Sequence, residues 1–193
     1  MVSNMLEKNL KWEEVNKTES ISIASSPLNF NIELVKKIGF NDLPQLIIIS
    51  DHLVKEYTQS VRLTKTSIKK YFNYPNTLPF ILRKNDLIIG YIIGVPLEYF
   101  TNDPSFQNDD NLGKENTLYT YAFIILEKFK KNGYAKILKK VYISWAKKKG
   151  FKFVSGHIKE GISKRFKYEV EILQKFNNWH GTNKIFEYYR RLI

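Results

Sequence analysis

Apolar positions repeat along this chain in two rhythms, and the change from one to the other marks its elements. Residues 119–126 (Tyr-Thr-Tyr-Ala-Phe-Ile-Ile-Leu) are rich in aromatic and β-branched side chains and predict a strand. Past a turn at residues 130–133 the period lengthens. Tyr134, Ile137, Leu138, Val141 and Trp145 recur at helical spacing, with Lys136, Lys139, Lys140 and Lys147 largely off that stripe. Residues 79–94 read as two strands around a Lys84-Asn85-Asp86 turn, and residues 151–158 as a further strand after the lysine-rich helix end at Gly150. Residues 31–38 predict the first core strand. Asn41 or Asp42 then caps a helix running to about Tyr57, with Pro44 tolerated in its first turn, and a second helix is expected over 64–72. Toward the C-terminus, Phe166, Val170, Leu173 and Phe176 share one helical stripe, so 164–176 predicts a helix opened by Ser163. Residues 184–193 read as a closing strand, with a terminal helix as the alternative. Residues 1–29 are polar and read as an N-terminal extension, although Trp12 and the Ser/Ile stretch over 20–26 leave an edge strand open. Residues 30–193 then form one domain.

The junction at residues 130–135 carries the clearest chemistry. A strand that turns through a glycine into a helix leaves the first-turn N–H groups unpaired and pointing one way. The positive end of the helix dipole lies at the same place. Such a junction is a ready site for phosphate, so the pattern points to a cofactor bearing a pyrophosphate.

The phrase over 123–135, turning at Lys130-Lys131-Asn132-Gly133-Tyr134-Ala135, resembles the acyl-CoA-binding motif of the GNAT superfamily of N-acetyltransferases. That motif is usually Gln/Arg-x-x-Gly-x-Gly/Ala. Gly133 and Ala135 match it, and Lys130 keeps the charge of an arginine without its planar fork. The paired strands over 79–94, with Gly90-Tyr91 in the second, and the strand over 151–158 follow the family's order. The resemblance covers residues 31–193 and is most specific over 79–158. It implies an α/β (α+β) fold with a mixed, mostly antiparallel six- to seven-stranded sheet flanked by about four helices. It also implies acetyl-CoA as co-substrate. The backbone of Ile125, Leu126 and Glu127 would pair with the pantetheine arm. The turn from Lys130 through Lys131, Asn132, Gly133, Tyr134 and Ala135 to Lys136 would hold the pyrophosphate, chiefly through the amides of residues 131, 133, 135 and 136. The implied activity is acetyl transfer to a primary amine, on a small molecule or a peptide, by direct attack. A non-catalytic CoA-binding or interaction module on the same fold is the second reading.

Direct acetyl transfer needs a deprotonated amine, a stabilised carbonyl oxygen and a proton for the departing thiolate. A backbone N–H near Ile125 suits the second need. For the acid, the resemblance suggests a tyrosine after the fifth strand: Tyr168 first, with Tyr188 and Tyr189 as alternatives. Glu98, at the end of the third strand, and His157, on the fifth, are the candidate bases. The acidic, polar stretch over 101–116 predicts a mobile loop. It lies near where GNAT acceptors bind, so Asp103, Asp109, Asp110 and Glu115 are candidates to attract a cationic amine.

Composition narrows the alternatives. A chain of 193 residues with 43% hydrophobic and 15% aromatic content has ample material for a packed core, which excludes global disorder. It has no cysteine, which removes disulfides, a thiol nucleophile and zinc–thiolate sites, and fits a cytoplasmic location. Its three histidines are scattered, so no metal site is expected. No apolar run approaches the roughly 20 residues of a membrane helix, and the first residues lack a signal-peptide core. The net charge is +12, with ten lysines and no acidic residue over 128–152. A nucleic-acid-associated protein is therefore the third reading, but no nucleic-acid-binding motif accompanies the charge. A solvated helix face that also attracts the phosphates of coenzyme A explains it better. An exposed final strand would favour pairing into a homodimer.

Overall fold

One sheet organises the computed structural model, which describes residues 15–26, 30–56 and 62–193. Its strands are β1 (Glu19–Ser26), β2 (Phe30–Lys37), β3 (Leu78–Lys84), β4 (Leu87–Pro96), β5 (Thr117–Ile125), β6 (Phe153–Lys159), β7 (Glu171–Phe176) and β8 (Phe186–Leu192). Their spatial order is β1-β2-β3-β4-β5-β6-β8-β7. Every neighbouring pair is antiparallel except β5 and β6. Helices α1 (Leu43–Glu56) and α2 (Lys65–Asn73) connect β2 to β3, and α3 (Tyr134–Lys148) connects β5 to β6. Among the described residues, no helix is long and apolar enough to cross a membrane.

The helices cover opposite faces of the sheet. Because strand side chains alternate, Ile81 packs toward Leu46 and Phe72 of α1 and α2, while Phe80 and Leu82 pack toward Leu138 and Tyr142 of α3. With both faces buried, β4 is apolar almost throughout instead of alternating with polar residues. Gly94 on β4 makes room for α3. A Cβ there would lie 2.7 Å from Tyr142 Cε2 and 2.6 Å from Leu118 Cδ2. Tyr142 thus packs against the sheet, with its hydroxyl 3.0 Å from Thr120 Oγ1. Thr64 caps α2 in a reciprocal capping box with Ser67. Asp42 does not serve as a side-chain cap for α1; its carboxylate pairs with Arg83 of β3, which also binds Glu33 of β2.

The strand and helix counts differ from expectation, at eight strands and three helices among the described residues. The Ser/Ile stretch is indeed an edge strand, β1, paired with β2. The main correction is at residues 164–176. A short 3₁₀ turn, Ser163–Arg165, leads through a loop into β7, which pairs with β8 through Ile172↔Tyr189 and Phe176↔Phe186. The helical spacing of apolar residues there loses to pairing along β8, whose backbone would otherwise be left as an open edge. Residues 184–193 do contain the closing strand, but β8 lies between β6 and β7. The sheet therefore ends at β1 and β7, so the exposed final strand expected to mediate self-pairing is interior. The buried stripe of α3 is Leu138, Tyr142 and Ala146, one position on from Ile137 and Val141, and Ile137 is exposed. The first half of the expected polar extension, including Trp12, lies outside the described residues.

Candidate active site

The turn between β5 and α3 presents an open row of amides. Glu127–Phe129 forms a 3₁₀ turn, and Lys131 and Gly133 both take left-handed backbone angles, with φ of 64° and 79°. The α3 ladder starts with Ile137 N donating to Gly133 O at 3.1 Å. The amides of Tyr134, Ala135 and Lys136 precede that bond and have no intrahelical acceptor. Gly133 contributes no side-chain cap, and nothing lies within 4 Å of where its Cβ would stand, so an anion can approach the amides closely. Asn132 Nδ2 donates to the carbonyls of Phe129 and Lys130 and holds the turn together. Lys130 Nζ lies 2.6 Å from Glu127 Oε2 and, through that hydrogen bond, pulls the Glu127 carboxyl below its usual range. Tyr134 leans on the ring of Phe30, which fixes the start of the helix against β2.

Beside this turn the sheet comes apart. β5 and β6 pair only at Thr117↔Phe153, Leu118↔Val154 and Tyr119↔Ser155, although β5 runs on to Ile125 and β6 to Lys159. Opposite β4 the register of β5 jumps from Ala122 to Thr120, which makes Tyr121 the extra residue of a bulge that bends the strand. A cavity of about 740 Å³ opens where the strands part, lined by residues 120–123 of β5 and 156–158 of β6. Leu126 N donates to Ile89 O on the β4 side at 2.9 Å. By the alternation of an antiparallel ladder, the N–H and C=O of Ile125 therefore point to the side that β6 has left.

The sequence profile of the Acetyltransferase (GNAT) family matches residues 47–161, a span that holds both the parted strands and the amide-lined turn. The chain belongs to the GNAT acetyltransferase family. Its fold is shared with solved structures. It resembles Ard1 from Thermoplasma volcanium (TM-score 0.62, 15% identity, 86% of this chain and 98% of that one). It also resembles the ribosomal-protein-S18-alanine N-acetyltransferase from Escherichia coli (TM-score 0.60, 12% identity, 85% and 94%). A third is Arabidopsis thaliana Naa50 in complex with a bisubstrate analogue, CoA-Ac-MVNAL (TM-score 0.57, 12% identity, 84% and 98%). At these identities the likeness is one of fold. A search of curated proteins gives no match.

Within this GNAT chain the expected site residues separate. Ile125 and the turn from Lys130 to Lys136 lie along one continuous path from the parted strands to the start of α3. Leu126 is less available than expected, because its N–H is bound to Ile89 and its carbonyl accepts from Phe129 N at 2.8 Å. Tyr168 sits in the loop before β7, not on a helix; it is 67% exposed, does not line the cavity, and carries the Arg191 guanidinium over its ring. Glu98 is also outside the cavity lining. Its Oε1 accepts from Glu115 N at 2.7 Å, which ties down the end of the loop over 101–116.

His157 does line the cavity, but in a particular state. Its ring stacks between Trp179 (3.9 Å) and Tyr188 (4.7 Å), and its Nδ1 lies 2.9 Å from Tyr119 Oη. Nε2 is buried without a hydrogen-bond partner. Burial holds the imidazole down to about 3, so it stays neutral at physiological pH. Tyr188 is committed elsewhere, donating to Asp109 at 2.6 Å. Tyr189 lines the cavity against Gly156, and burial pushes its hydroxyl up, which keeps it protonated.

Sequence reasoning missed two features of the site. The loop over 101–116 is pinned. The Asp109 side chain is fully buried between Tyr188 and Arg190 of β8, Asn111 binds Thr117, and Phe106 enters an aromatic cluster with Tyr119. Of its four candidate acids, only Asp103 lines the cavity. The alternation of Tyr188 and Arg190 on one face of β8 was the available signal, but nothing local links them to Asp109. The second is Lys139, half-buried in the cavity wall with Nζ 4.3 Å from the Phe166 ring centroid. Burial, and then Arg191, lowers its pKa.

Proposed function

We propose that this protein transfers an acetyl group from acetyl-CoA to a primary amine. The observation that carries the reading is the continuous path from the unpaired edge of β5 at Ile125 to the open amides at Gly133, inside a GNAT chain. Acetyl-CoA supplies the activated acetyl thioester. The residues present fit it. The left-handed Gly133 leaves the amides of Tyr134, Ala135 and Lys136 uncovered for a diphosphate, and Lys128, Lys130, Lys131 and Lys136 at the turn draw an anion toward them. The Ile125 N–H, facing the gap between β5 and β6, donates to the reacting carbonyl oxygen. Tyr189, held protonated in the cavity wall, is the proton donor in preference to the exposed Tyr168. His157, neutral and with both ring nitrogens enclosed, suits holding Tyr119 and Trp179 in place better than taking a proton. Glu98 suits anchoring the loop.

Calorimetric titration with acetyl-CoA, followed by thiol release against a panel of amines, tests the proposal. Saturable binding with amine-dependent thiol release is expected. Binding without turnover on any amine would favour a CoA-binding module, and folded protein that fails to bind would overturn both readings. Gly133→Val should abolish acetyl-CoA binding, since a branched side chain at positive φ both covers the amides and strains the turn by roughly 1–2 kcal/mol.

A further inference from the structure

One wall of the cavity is built from rings that follow one another across the fold. Tyr71 of α2 stacks on Tyr121 of the β5 bulge at 3.9 Å, and Phe100 lies parallel to Tyr121 at 6.5 Å. Phe100 stacks on Phe106 at 4.7 Å, Phe106 meets His157 edge-on at 5.5 Å, and His157 stacks on Trp179. All six line the cavity. Among the described lining residues Asp103 is the only acidic one, and it stands between Phe100 and Phe106 in the chain. Its Oδ1 accepts from Ser105 N at 2.9 Å. Asp109 is bound to Arg190, and Glu98, whose Oε1 accepts from the Glu115 amide, does not line the cavity.

This chemistry selects among amines. Aromatic faces attract a cation through their quadrupole and shed water readily onto flat or bulky apolar groups. Asp103 is the one carboxylate in the described lining and Lys139 is a cation in the same wall, so one positive charge on the acceptor finds a partner at Asp103 and a second meets repulsion. A polyamine would bring further charges with no carboxylate to meet them, and a peptide would press polar backbone groups against rings that offer few hydrogen bonds. Resting on the acetyl-transfer reading above, we propose that the acceptor is a compact primary amine with one positive charge on an aromatic or bulky apolar body. The ring belt and Asp103 hold it.

The test compares 2-phenylethylamine, tryptamine, spermidine and an alanine-initiated peptide in thiol release at saturating acetyl-CoA. In parallel, tryptophan fluorescence follows amine binding to the acetyl-CoA-free protein, with Trp179→Phe identifying the reporting ring. The arylalkylamines should show kcat/KM at least about tenfold above the other two, the scale of a cation–π contact with its ion pair. Asp103→Asn keeps an oxygen for the Ser105 amide but loses the charge. It should raise KM for 2-phenylethylamine about tenfold and leave kcat nearly unchanged, the mark of lost uniform binding. Preference for spermidine or the peptide, or an unmoved KM in Asp103→Asn, would overturn the inference. Protein that binds acetyl-CoA yet neither binds nor acetylates the arylalkylamines would overturn it while leaving acetyl transfer standing. Protein that binds no acetyl-CoA would overturn acetyl transfer itself, and the fluorescence titration would still decide whether the belt takes such an amine.

Discussion

His157 and Lys139 both hold ionisable groups in the cavity wall, and both respond to pH in the same direction for the same reason. A free histidine takes up a proton near pH 6.5, but the ring packed between Trp179 and Tyr188 does so only near pH 3. Between those values the unfolded chain binds more protons than the folded one. Stability therefore falls as pH drops through this window, by up to about 1.4 kcal/mol per pH unit. His157→Phe should remove that part of the acid sensitivity, which urea unfolding at about pH 7 and about pH 4 measures. Lys139 is likewise depressed, by burial and by Arg191, so the unfolded chain again carries the extra proton and stability rises with pH through the window. Lys139→Met, which keeps the stem against Phe166 and removes the cation, should raise the urea midpoint near neutral pH. Neither effect is visible in the sequence. Lys139 reads there as one of many lysines off an apolar stripe, and it is the nearness of Phe166 and Arg191 that singles it out.

At the scale of elements, the loop over 101–116 and β8 act as one unit. Asp109 is enclosed by Tyr188 and Arg190, so removing its carboxylate leaves a buried guanidinium without that partner. Asp109→Ala should cost about 3–5 kcal/mol in chemical denaturation. Deleting 103–114 should lower stability outright instead of only raising the acceptor KM, because Phe106 and Asp109 leave the core with it. Composition called this segment mobile; long-range ion pairing made it fixed. The close approach of α3 to β4 is a second such unit. Gly94→Val would drive a branched side chain into Tyr142 and Leu118 and should destabilise by about 1–3 kcal/mol. Helix α3 itself was legible from its period, but the choice between neighbouring apolar stripes was not. That choice depended on Gly94, forty-eight residues before Tyr142 in the chain, whose missing side chain leaves room for the Tyr142 ring. Residues 164–176 failed for a related reason, since a helical spacing of apolar residues could not reveal that β8 lacked a partner.

Across the whole molecule, the parting of β5 from β6 sets where ligands can enter. The β5 backbone beyond Tyr119 has no β6 partner, so its amides facing the gap should exchange with solvent faster than those of the paired β3 and β4. Acetyl-CoA should slow exchange at Ile125 and over 134–136, which mass spectrometry or NMR can follow residue by residue. The excess of lysine over 128–152 belongs to this scale too. Of these lysines, Lys128, Lys130, Lys131 and Lys136 stand at the amide-lined turn, while Lys147 to Lys152 lie at the far end of α3, so acetyl-CoA affinity should weaken as salt is raised.

The sequence by itself determined the elements whose signal is local. The strand–glycine–helix turn needed only adjacent residues: a strand former up to Ile125, a left-handed glycine at 133 and a helical period beyond it. The hairpin of β3 and β4, helix α2 and the favoured strand β8 were legible on the same grounds, and the turn, the hairpin and the strand over 151–158 indicated the family. Tertiary structure decided whatever depended on groups distant in the chain. It placed Tyr168 outside the cavity and Tyr189 within it, enclosed His157 between rings from β8 and the turn after β7, and used up Asp109 while leaving Asp103 in the lining. A backbone motif depends on torsions and neighbouring hydrogen bonds, which local sequence specifies. A side chain's protonation and availability depend on burial and on partners that only the packed fold brings together.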